Sequence, residues 1–297
     1  MYSSRGDRVM VGFIYTFLTL FALSTLYPFL NAIAISLNEG LDTAKGGITL
    51  WPRAFTLENY EVVFQDERLM SGFVVSVART VVGTVSAILA TAIFSYGMTK
   101  RELMGRKGYM LLCIFTMYFS GGLIPTFLLI RNLGLFNSFW VYIIPSLIGV
   151  WNMIIFRTFF QGLPQGLEES AKIDGCGNWG TLFRIVLPLS GPVIATLSLF
   201  TAVGHWNEWF VASIYISKEE LLPIQTILKQ ILASNIVSEQ TANLDAAAQA
   251  HLAQAKTVTS KSLSMATMMV ATLPIVLVYP FVQKYFVKGV LVGSLKE

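Results

Sequence analysis

Six long runs of apolar residues divide the chain, and each has about the length of a membrane-spanning helix. They cover residues 9–35, 71–98, 108–130, 139–160, 191–216 and 264–286. A helix rises about 1.5 Å per residue, so roughly 20 apolar residues cross the hydrocarbon core of a bilayer. The strands of a membrane barrel would be only about 10 residues long and would alternate in polarity. The pattern therefore predicts an all-α polytopic membrane protein with six transmembrane helices, in a single domain over residues 1–297.

The first run follows Arg5 and Arg8 and contains Ala32-Ile33-Ala34, which offers small residues to a signal peptidase. The run is longer than the roughly 7 to 15 residues of a signal peptide's apolar core, and five further runs follow it. We therefore predict that this helix is retained.

The composition supports a membrane protein and excludes other classes. Of the 297 residues, 54% are hydrophobic and 13% are charged, whereas about 25% of an ordinary soluble domain is charged. The net charge of +4 is too small for a nucleic-acid footprint. The soft metal ligands are Cys113, Cys176, His205 and His251, too few and too scattered for a transition-metal site. We therefore expect this chain to bind neither nucleic acid nor metal, and both thiols to be inert.

Lysines and arginines cluster at three places next to the ends of the runs. They are Arg5 and Arg8, then Lys100, Arg101, Arg106 and Lys107, then Lys284, Lys288 and Lys296. Because short basic loops face the cytoplasm, six spans place both termini there. The same alternation places the loop at about 161–190 in the cytoplasm and the loops at about 37–70 and 217–263 outside.

The two outer loops are too long to be simple turns. Apolar residues recur at helical spacing in 57–74 and in 218–231, which predicts short surface helices in both loops. The stretch 243–255 is rich in Ala and Gln and is either another helix or a flexible arm.

The loop at 161–190 has the pattern of a helix, a stop and a second helix. Glu168 and Glu169 suit the positive end of a helix, and Gly175 with Gly177 can end that helix in a left-handed conformation. An apolar segment then leads to Pro188, near the start of the fifth run, where a first helical turn tolerates proline. A folded loop with a mostly uncharged tip is suited to insertion into a groove of a partner protein.

Three groups of residues in this loop resemble the EAA loop of permease subunits of bacterial ABC importers. They are Glu169-Ser170-Ala171, Asp174-Gly175 and Ile185-Val186-Leu187-Pro188. The charges, the glycine and the Leu-Pro pair recur at the family's spacing. The sequence departs from the family at Ser170 and Cys176, where alanine is more usual. Both replacements are small, so helix packing should survive.

Shorter segments elsewhere resemble carbohydrate-uptake permeases of the maltose type. They are Arg5-Gly6-Asp7-Arg8, Gly204-His205-Trp206-Asn207, Pro223-Ile224-Gln225-Thr226-Ile227-Leu228 and Lys288-Gly289-Val290-Leu291-Val292-Gly293-Ser294-Leu295. Within that group the chain looks like one of the two permeases of oligosaccharide importers, including those for acidic sugars such as alginate.

The resemblance implies a transporter in the bacterial cytoplasmic (inner) membrane, surrounded by membrane lipid. It would contain this chain, a second permease subunit, two ATPase subunits and an extracytoplasmic solute-binding protein, with a sugar as substrate. The chain lacks a Gly-x-x-x-x-Gly-Lys-Ser/Thr loop, so we expect ATP and Mg on the partner ATPase subunits and no cofactor on this chain. By resemblance, the ATPase-docking residues are Glu169, Ser170, Ala171, Asp174, Gly175, Leu187 and Pro188.

Charged groups inside an apolar span cost roughly 2.5 to 3.5 kcal/mol on insertion scales, so each one needs an explanation. Arg157 lies about one turn from the cytoplasmic end of the fourth run and can extend to the interface, which is a structural role. Arg79 stands at the outer edge of the second run. It either extends outward to the interface or faces a water-filled cavity.

His205 and Glu208 are three residues apart, which predicts that they share one helix face in the outer half of the fifth run. They adjoin Trp206, Asn207 and Trp209. Aromatic faces combined with amide and carboxylate groups are typical of sugar sites, so these residues and Arg79 form a candidate substrate path. The alternative is a hydrogen-bonded packing cluster between helices, with Glu208 against Arg79.

Two further features have ordinary structural explanations. Trp140 and Tyr142 begin the fourth run and fit an aromatic belt at the outer interface. Gly121 and Gly122, which precede Pro125, predict a kink in the third run.

Two other functions remain open for an apolar chain of this kind. A stand-alone secondary transporter or channel would use His205 and Glu208 to couple protons, but it leaves the folded loop at Glu169 without a role. A membrane enzyme would need a nucleophile, a base and an orienting group, which the motifs do not supply. The sequence therefore favours a non-catalytic permease subunit.

Overall fold

The structure is a computed structural model that describes residues 5–242 and 258–294, and every regular element in these ranges is a helix. The helices are α1 Arg5–Ser36, α2 Gly40–Ala44, α3 Glu58–Gln65, α4 Glu67–Gly97, α5 Arg106–Tyr118, α6 Leu123–Asn132, α7 Val150–Gln161, α8 Gln165–Ile173, α9 Asn178–Leu189, α10 Gly191–Asn207, α11 Phe210–Tyr215, α12 Ile224–Ala242 and α13 Ser260–Ser294. Short 3-10 helices cover Phe139–Tyr142, Ile144–Ser146 and Glu219–Leu221. The stretch 243–255, with His251, lies outside the described residues.

Three helices have the length and apolar composition to cross a membrane, and three bent pairs would each form one more span. The single helices are Gly6–Ser36, Glu67–Gly97 and Ser260–Val278. The pairs are α5 with α6, Phe139–Ser146 with α7, and α9 with α10, bent by 117°, 46° and 81°. The all-α prediction is confirmed, with three to six candidate spans in the described ranges. Each of the runs 108–130, 139–160 and 191–216 contains a break, so none of the three is a single straight helix.

Glycine and proline explain two of the interruptions. At the first, Phe119 is extended and Gly122 has a φ of +86°, a value that glycine adopts without strain. Pro125 then lies in the first turn of α6, where its missing N–H is harmless. The predicted kink is therefore confirmed. In the fourth run, Pro145 lies in a 3-10 segment and Gly149 is extended, with φ −86° and ψ 116°.

Buried hydroxyl groups on α4 satisfy main-chain groups near the second interruption. The Thr91 hydroxyl donates to the Leu147 carbonyl at 3.1 Å and accepts from the Gly149 amide at 3.4 Å. The Ser95 hydroxyl lies 3.2 Å from the Met153 carbonyl, to which it donates. An unsatisfied backbone group inside a bilayer is costly, so irregular backbone is tolerated there only where neighbouring groups supply the missing bonds.

The described residues divide into two compact units, 5–70 with 228–242 and 258–273, and 71–227 with 274–294. In the first unit, polar side chains brace the predicted outer loop 37–70. The Asn38 side chain donates to the Asp42 carboxylate at 3.1 Å and accepts from the Ala54 amide at 2.8 Å. Arg53 donates to the same carboxylate at 2.9 Å. The hydrogen bonds from Asn38 and then Arg53 lower the pKa of Asp42 from its usual value of 3.8.

The helices predicted near the two long loops are confirmed. In the first loop, α3 ends at Gln65, Asp66 is extended, and α4 begins at Glu67. In the second, the 3-10 turn Glu219–Leu221 precedes α12. Gly72 permits a close approach within the second unit, because a Cβ there would lie 2.5 Å from Ile227 Cδ1.

The apolar core of the second unit joins four helices. Its buried members are Ile88, Ala92 and Tyr96 of α4, Phe156 and Phe160 of α7, Leu182 and Val186 of α9, and Val193 and Leu197 of α10. The loop that resembles a docking element therefore returns to the same core as α4 and α7. This packing fixes α9 against the bundle and leaves α8 at its end.

Candidate functional site

The first helix of the docking loop ends as the glycine pattern predicts. Gly175 has a φ of +79°. The Cys176 amide donates to the Ala171 carbonyl at 2.8 Å and the Gly175 amide to the Lys172 carbonyl at 3.1 Å. These two bonds form a Schellman motif, which satisfies carbonyls left open at the end of a helix. The prediction is confirmed for Gly175 but wrong for Gly177, which has φ −71° and ψ 172° and instead precedes α9.

The second helix of the loop contains one wide turn before its proline. Residues Leu182–Val186 form a π-turn in which the Leu187 amide donates to the Leu182 carbonyl. Pro188 follows without an N–H of its own. The Ser190 amide and hydroxyl both donate to the Val186 carbonyl, at 3.0 and 2.6 Å. The chain then turns by 81° into α10.

Most of the residues assigned to docking are accessible. Glu169, Ser170, Asp174, Gly175 and Pro188 are exposed, and Leu187 is partly buried. Ala171 is buried instead, so it fixes α8 in place and presents no surface to a partner.

The structure adds an exposed apolar surface to the docking loop, which we call the loop tip and define as Ile173, Trp179 and Phe183. Ile173 is 86% exposed and Trp179 is 64% exposed. The Trp179 and Phe183 rings stack with their centroids 6.1 Å apart. Sequence reasoning missed these three residues because apolar residues in a membrane protein are ordinarily assigned to the core or to lipid. The available signal was their position at the end of a charged helix, for Ile173, and after it, for Trp179 and Phe183.

Sequence reasoning also missed an ion pair between the docking loop and the end of α4. Lys100 Nζ lies 2.6 Å from a Glu168 carboxylate oxygen and 4.1 Å from the centroid of the Tyr96 ring. Burial acts to lower the pKa of Lys100, but the hydrogen bond to Glu168 and the interaction with Tyr96 outweigh it and leave that pKa above 10.5. Lys100 is therefore charged at physiological pH.

In the second unit, Arg79 holds together the break in the fifth run. Its side chain is 1% exposed. Nε donates to the His205 carbonyl at 2.8 Å, and Nη2 donates to the carbonyls of His205 and Glu208. The guanidinium also lies 5.0 Å from the centroid of the Tyr142 ring. Because the side chain is buried, Arg79 does not extend to an interface as one of the two alternatives predicted. It bonds instead to main-chain oxygens that lie at the end of α10.

Glu208 interrupts the fifth run. Helix α10 ends at Asn207, and Glu208 is extended, with φ −73° and ψ 121°. Its carboxylate accepts from the Phe210 amide at 2.7 Å and from the Val211 amide at 2.9 Å, so it caps α11. The same carboxylate lies 3.7 Å from Arg79. The prediction that His205 and Glu208 share one helix face is therefore wrong, whereas the contact between Glu208 and Arg79 is present.

The neighbours of Glu208 are mainly packed. The His205 ring lies against Gly83, where a Cβ would be 2.6 Å from Nε2. Trp206 is buried and meets the edge of Phe73, with the ring centroids 5.8 Å apart. The Trp209 carbonyl accepts from the Thr226 hydroxyl at 3.2 Å. Asn207 is exposed.

Two predictions about side chains near the ends of spans have different outcomes. Trp140 is exposed, as a belt residue would be. Tyr142 is buried and its hydroxyl donates to the Leu221 carbonyl at 2.8 Å, so the belt explanation is wrong for it. Arg157 Nε donates to the Met98 carbonyl at 3.3 Å, which is a structural contact.

No group of three or more His, Cys, Asp and Glu side chains that could hold a metal ion occurs within 5–242 and 258–294. Cys113 and Cys176 are free thiols, both partly buried.

Comparison with known proteins gives a match over nearly the whole chain. Residues 1–292 match the family model described as binding-protein-dependent transport system inner membrane component. The chain is 42% identical to the polygalacturonan/rhamnogalacturonan transport system permease protein YtcP of Bacillus subtilis, over 98% of this chain and 99% of that protein. It is 26% identical to the arabinooligosaccharides transport system permease protein AraQ of Halalkalibacterium halodurans, over 93% and 92%.

A solved structure has the same fold. It is a crystal structure of a bacterial ABC transporter involved in the import of the acidic polysaccharide alginate. One of its chains matches with a TM-score of 0.87 and 28% sequence identity, over 96% of this chain and 99% of that chain.

Proposed function

We infer the substrate class of this chain from its family, because it belongs to the inner membrane components of binding-protein-dependent transport systems. It is therefore a multi-pass, non-catalytic permease subunit of an ABC importer. We propose that it carries oligosaccharides, acidic ones among them. Relatives named for polygalacturonan/rhamnogalacturonan and for arabinooligosaccharides support this substrate class. The match to a transporter of the acidic polysaccharide alginate supports the acidic members of it. Competition between labelled oligosaccharides for uptake tests the proposal.

The proposed assembly contains this chain, a second permease, two ATPase subunits and an extracytoplasmic solute-binding protein. ATP and Mg bind to the ATPase subunits, because the chain has no phosphate-binding loop of its own. Six spans in one permease domain, with both termini in the cytoplasm, are proposed from the basic clusters. The three bent pairs support this number if each pair crosses once.

The observation that carries the coupling proposal is the end of α8. Gly175 reverses the chain in a left-handed conformation. The exposed Glu169 and Ile173 precede it, and the stacked rings of Trp179 and Phe183 follow it. A charged helix beside an exposed aromatic pair is the surface that an ATPase groove would accept. We propose that this loop docks into one ATPase subunit, so that closure of the ATPase pair moves α9 and the core to which it belongs.

A substitution at Gly175 tests the docking proposal. Gly175→Val places a β-branched residue at a φ of +79°, which it resists. Gly177→Val is the matched control, because φ −71° with ψ 172° suits valine and no atom lies within 4 Å of its Cβ position. The first variant should lose its ATPase subunits on purification and lose uptake, while the control keeps both. Normal uptake by Gly175→Val would rule out docking through this loop.

The proposed substrate path runs past the exposed side of the break in the fifth run. Asn207 is exposed and the Glu208 side chain is 33% exposed, so both are accessible to a sugar. Arg79 and Trp206 are buried and support the path from behind, with His205 and Trp209 packed beside them. Asn207→Ala should change the competition profile between oligosaccharides without loss of stability. A profile identical to that of the unmodified transporter would remove Asn207 from the path.

A further inference from the structure

The ion pair between Lys100 and Glu168 lies where α8 meets the end of α4. Lys100 is three residues beyond the end of α4, and Glu168 is in the first turn of α8. Both side chains are shielded, with 20% and 34% of their surfaces exposed. The ammonium of Lys100 lies over the ring of Tyr96, which is itself buried in the core.

The turn that carries Lys100 is fixed to the bundle by other bonds. Arg157 of α7 donates to the Met98 carbonyl, and Arg106 of α5 donates to the Thr99 carbonyl, both at 3.3 Å. Met98 is buried. Since α7 and α5 both hold this turn, Lys100 moves with the transmembrane helices and not with the loop.

The remaining surface of α8 has little hold on the bundle. Ala171 is buried, whereas Glu169, Ser170 and Lys172 are exposed. The bond from Lys100 to Glu168 is therefore the charged link from α8 to the turn after α4. A half-buried charged hydrogen bond of 2.6 Å is stronger and better oriented than an ordinary surface ion pair.

We propose that Lys100 and Glu168 are positioning residues that couple movement of α8 to α4. The proposal rests on the docking role of the loop. From Arg79 to the end of α4 at Gly97 is 18 residues, so at about 1.5 Å per residue the helix spans roughly 27 Å between the turn that carries Lys100 and the break in the fifth run. A shift of α8 under an ATPase subunit is thereby transmitted along one rigid helix to the groups that hold this break.

The test measures coupling in the complete transporter, reconstituted in proteoliposomes with its binding protein and labelled oligosaccharide. The variants are Lys100→Met, Glu168→Gln and the charge reversal Lys100→Glu with Glu168→Lys. Lys100→Arg keeps the charge, and Lys107→Met removes an exposed charge from α5, outside the docking loop. The readouts are retention of the ATPase subunits, ATP hydrolysis, and sugar imported per ATP hydrolysed.

Lys100→Met and Glu168→Gln should retain the ATPase subunits and hydrolyse ATP, but import roughly 2- to 30-fold less sugar per ATP, the range by which residues between coupled sites act. The charge reversal should recover part of that loss and not all of it, since a carboxylate at position 100 meets the Tyr96 ring less favourably than an ammonium does. Lys100→Arg and Lys107→Met should leave the ratio unchanged.

An unchanged ratio in both single variants would overturn the proposal. So would losses in the single variants without any recovery in the charge reversal, because the two residues would then act separately, for example on the ATPase. If the single variants fail to assemble, restored assembly in the charge reversal supports the pair and failure to restore it counts against the pair. The docking role is judged separately by Gly175→Val, whose outcome does not depend on Lys100.

Discussion

Replacement of Arg79 by leucine is the perturbation whose size follows most directly from the structure. The guanidinium is 1% exposed and donates to the carbonyls of His205 and Glu208. These oxygens lie at the break between α10 and α11. Arg79→Leu keeps an apolar stem of similar length but removes every donor, so both oxygens lose their partner.

The magnitude combines two opposing effects. A buried polar group left unsatisfied costs about 1 to 3 kcal/mol, so two carbonyls cost about 2 to 6 kcal/mol. Removal of a buried cation relieves its desolvation penalty, and the Glu208 carboxylate is not stranded because it is one-third exposed and still caps α11. We therefore expect a loss of about 2 to 3 kcal/mol in the free energy of unfolding.

Two matched variants separate the donors of Arg79 from its ion pair. Arg79→Lys keeps the charge and can reach one carbonyl, so it should lose about half as much. Glu208→Gln keeps the oxygen that accepts from the Phe210 and Val211 amides, so it should cost less than about 1 kcal/mol. Denaturation in mixed micelles gives the three free energies. An Arg79→Leu variant as stable as the unmodified chain, or a Glu208→Gln variant that is less stable than Arg79→Leu, would refute this reasoning.

Gly83→Val should displace the His205 ring and lower the melting temperature, because its Cβ would lie 2.6 Å from Nε2, whereas Gly97→Val has open space and should be neutral. With both native thiols replaced by serine, an impermeant reagent on intact cells should label a cysteine introduced at Glu220 and spare one at Arg106. Below pH 3.8, amide hydrogen exchange in residues 37–56 should accelerate as Asp42 is protonated. The pKa of Asp42 is lowered in the folded protein, so its stabilising bonds are lost as the pH falls through that lowered pKa.

Each of these predictions has a contradicting result. Equal melting temperatures for Gly83→Val and Gly97→Val would show that the close contact at His205 relaxes without cost. Labelling at Arg106 but not at Glu220 would overturn the proposed orientation. In Asp42→Asn the exchange rate should lose its added acid dependence, and an identical acid profile in both proteins would exclude Asp42 as the cause.

Local patterns in the sequence predict those features that depend on neighbours along the chain. The apolar runs give the all-α class, and Gly175 gives the end of α8, because helix length and left-handed glycine are local properties. The break at Glu208 could not be predicted from such patterns. The run around it is apolar overall, and the bonds that cap α11 come from a single side chain.

Contacts between distant residues could not be predicted from local patterns. Arg79 bonds to carbonyls more than 120 positions away, and Lys100 pairs with a residue 68 positions away. The sequence indicates that an intramembrane arginine needs a partner, and it even suggests Glu208. It does not indicate that the principal acceptors would be main-chain oxygens. These oxygens lie at the end of α10, at a break in the run that was not predicted.

The central claim is that this chain serves an ATP-driven importer of oligosaccharides, acidic ones among them. The most direct measurement is accumulation of labelled oligogalacturonide in proteoliposomes that contain the full transporter and its binding protein, with ATP inside. Accumulation should require hydrolysable ATP and this chain, and unlabelled alginate oligosaccharide should compete better than a neutral oligosaccharide of equal length. Accumulation without ATP, or equal competition by the neutral sugar and no transport of the acidic one, would contradict the claim.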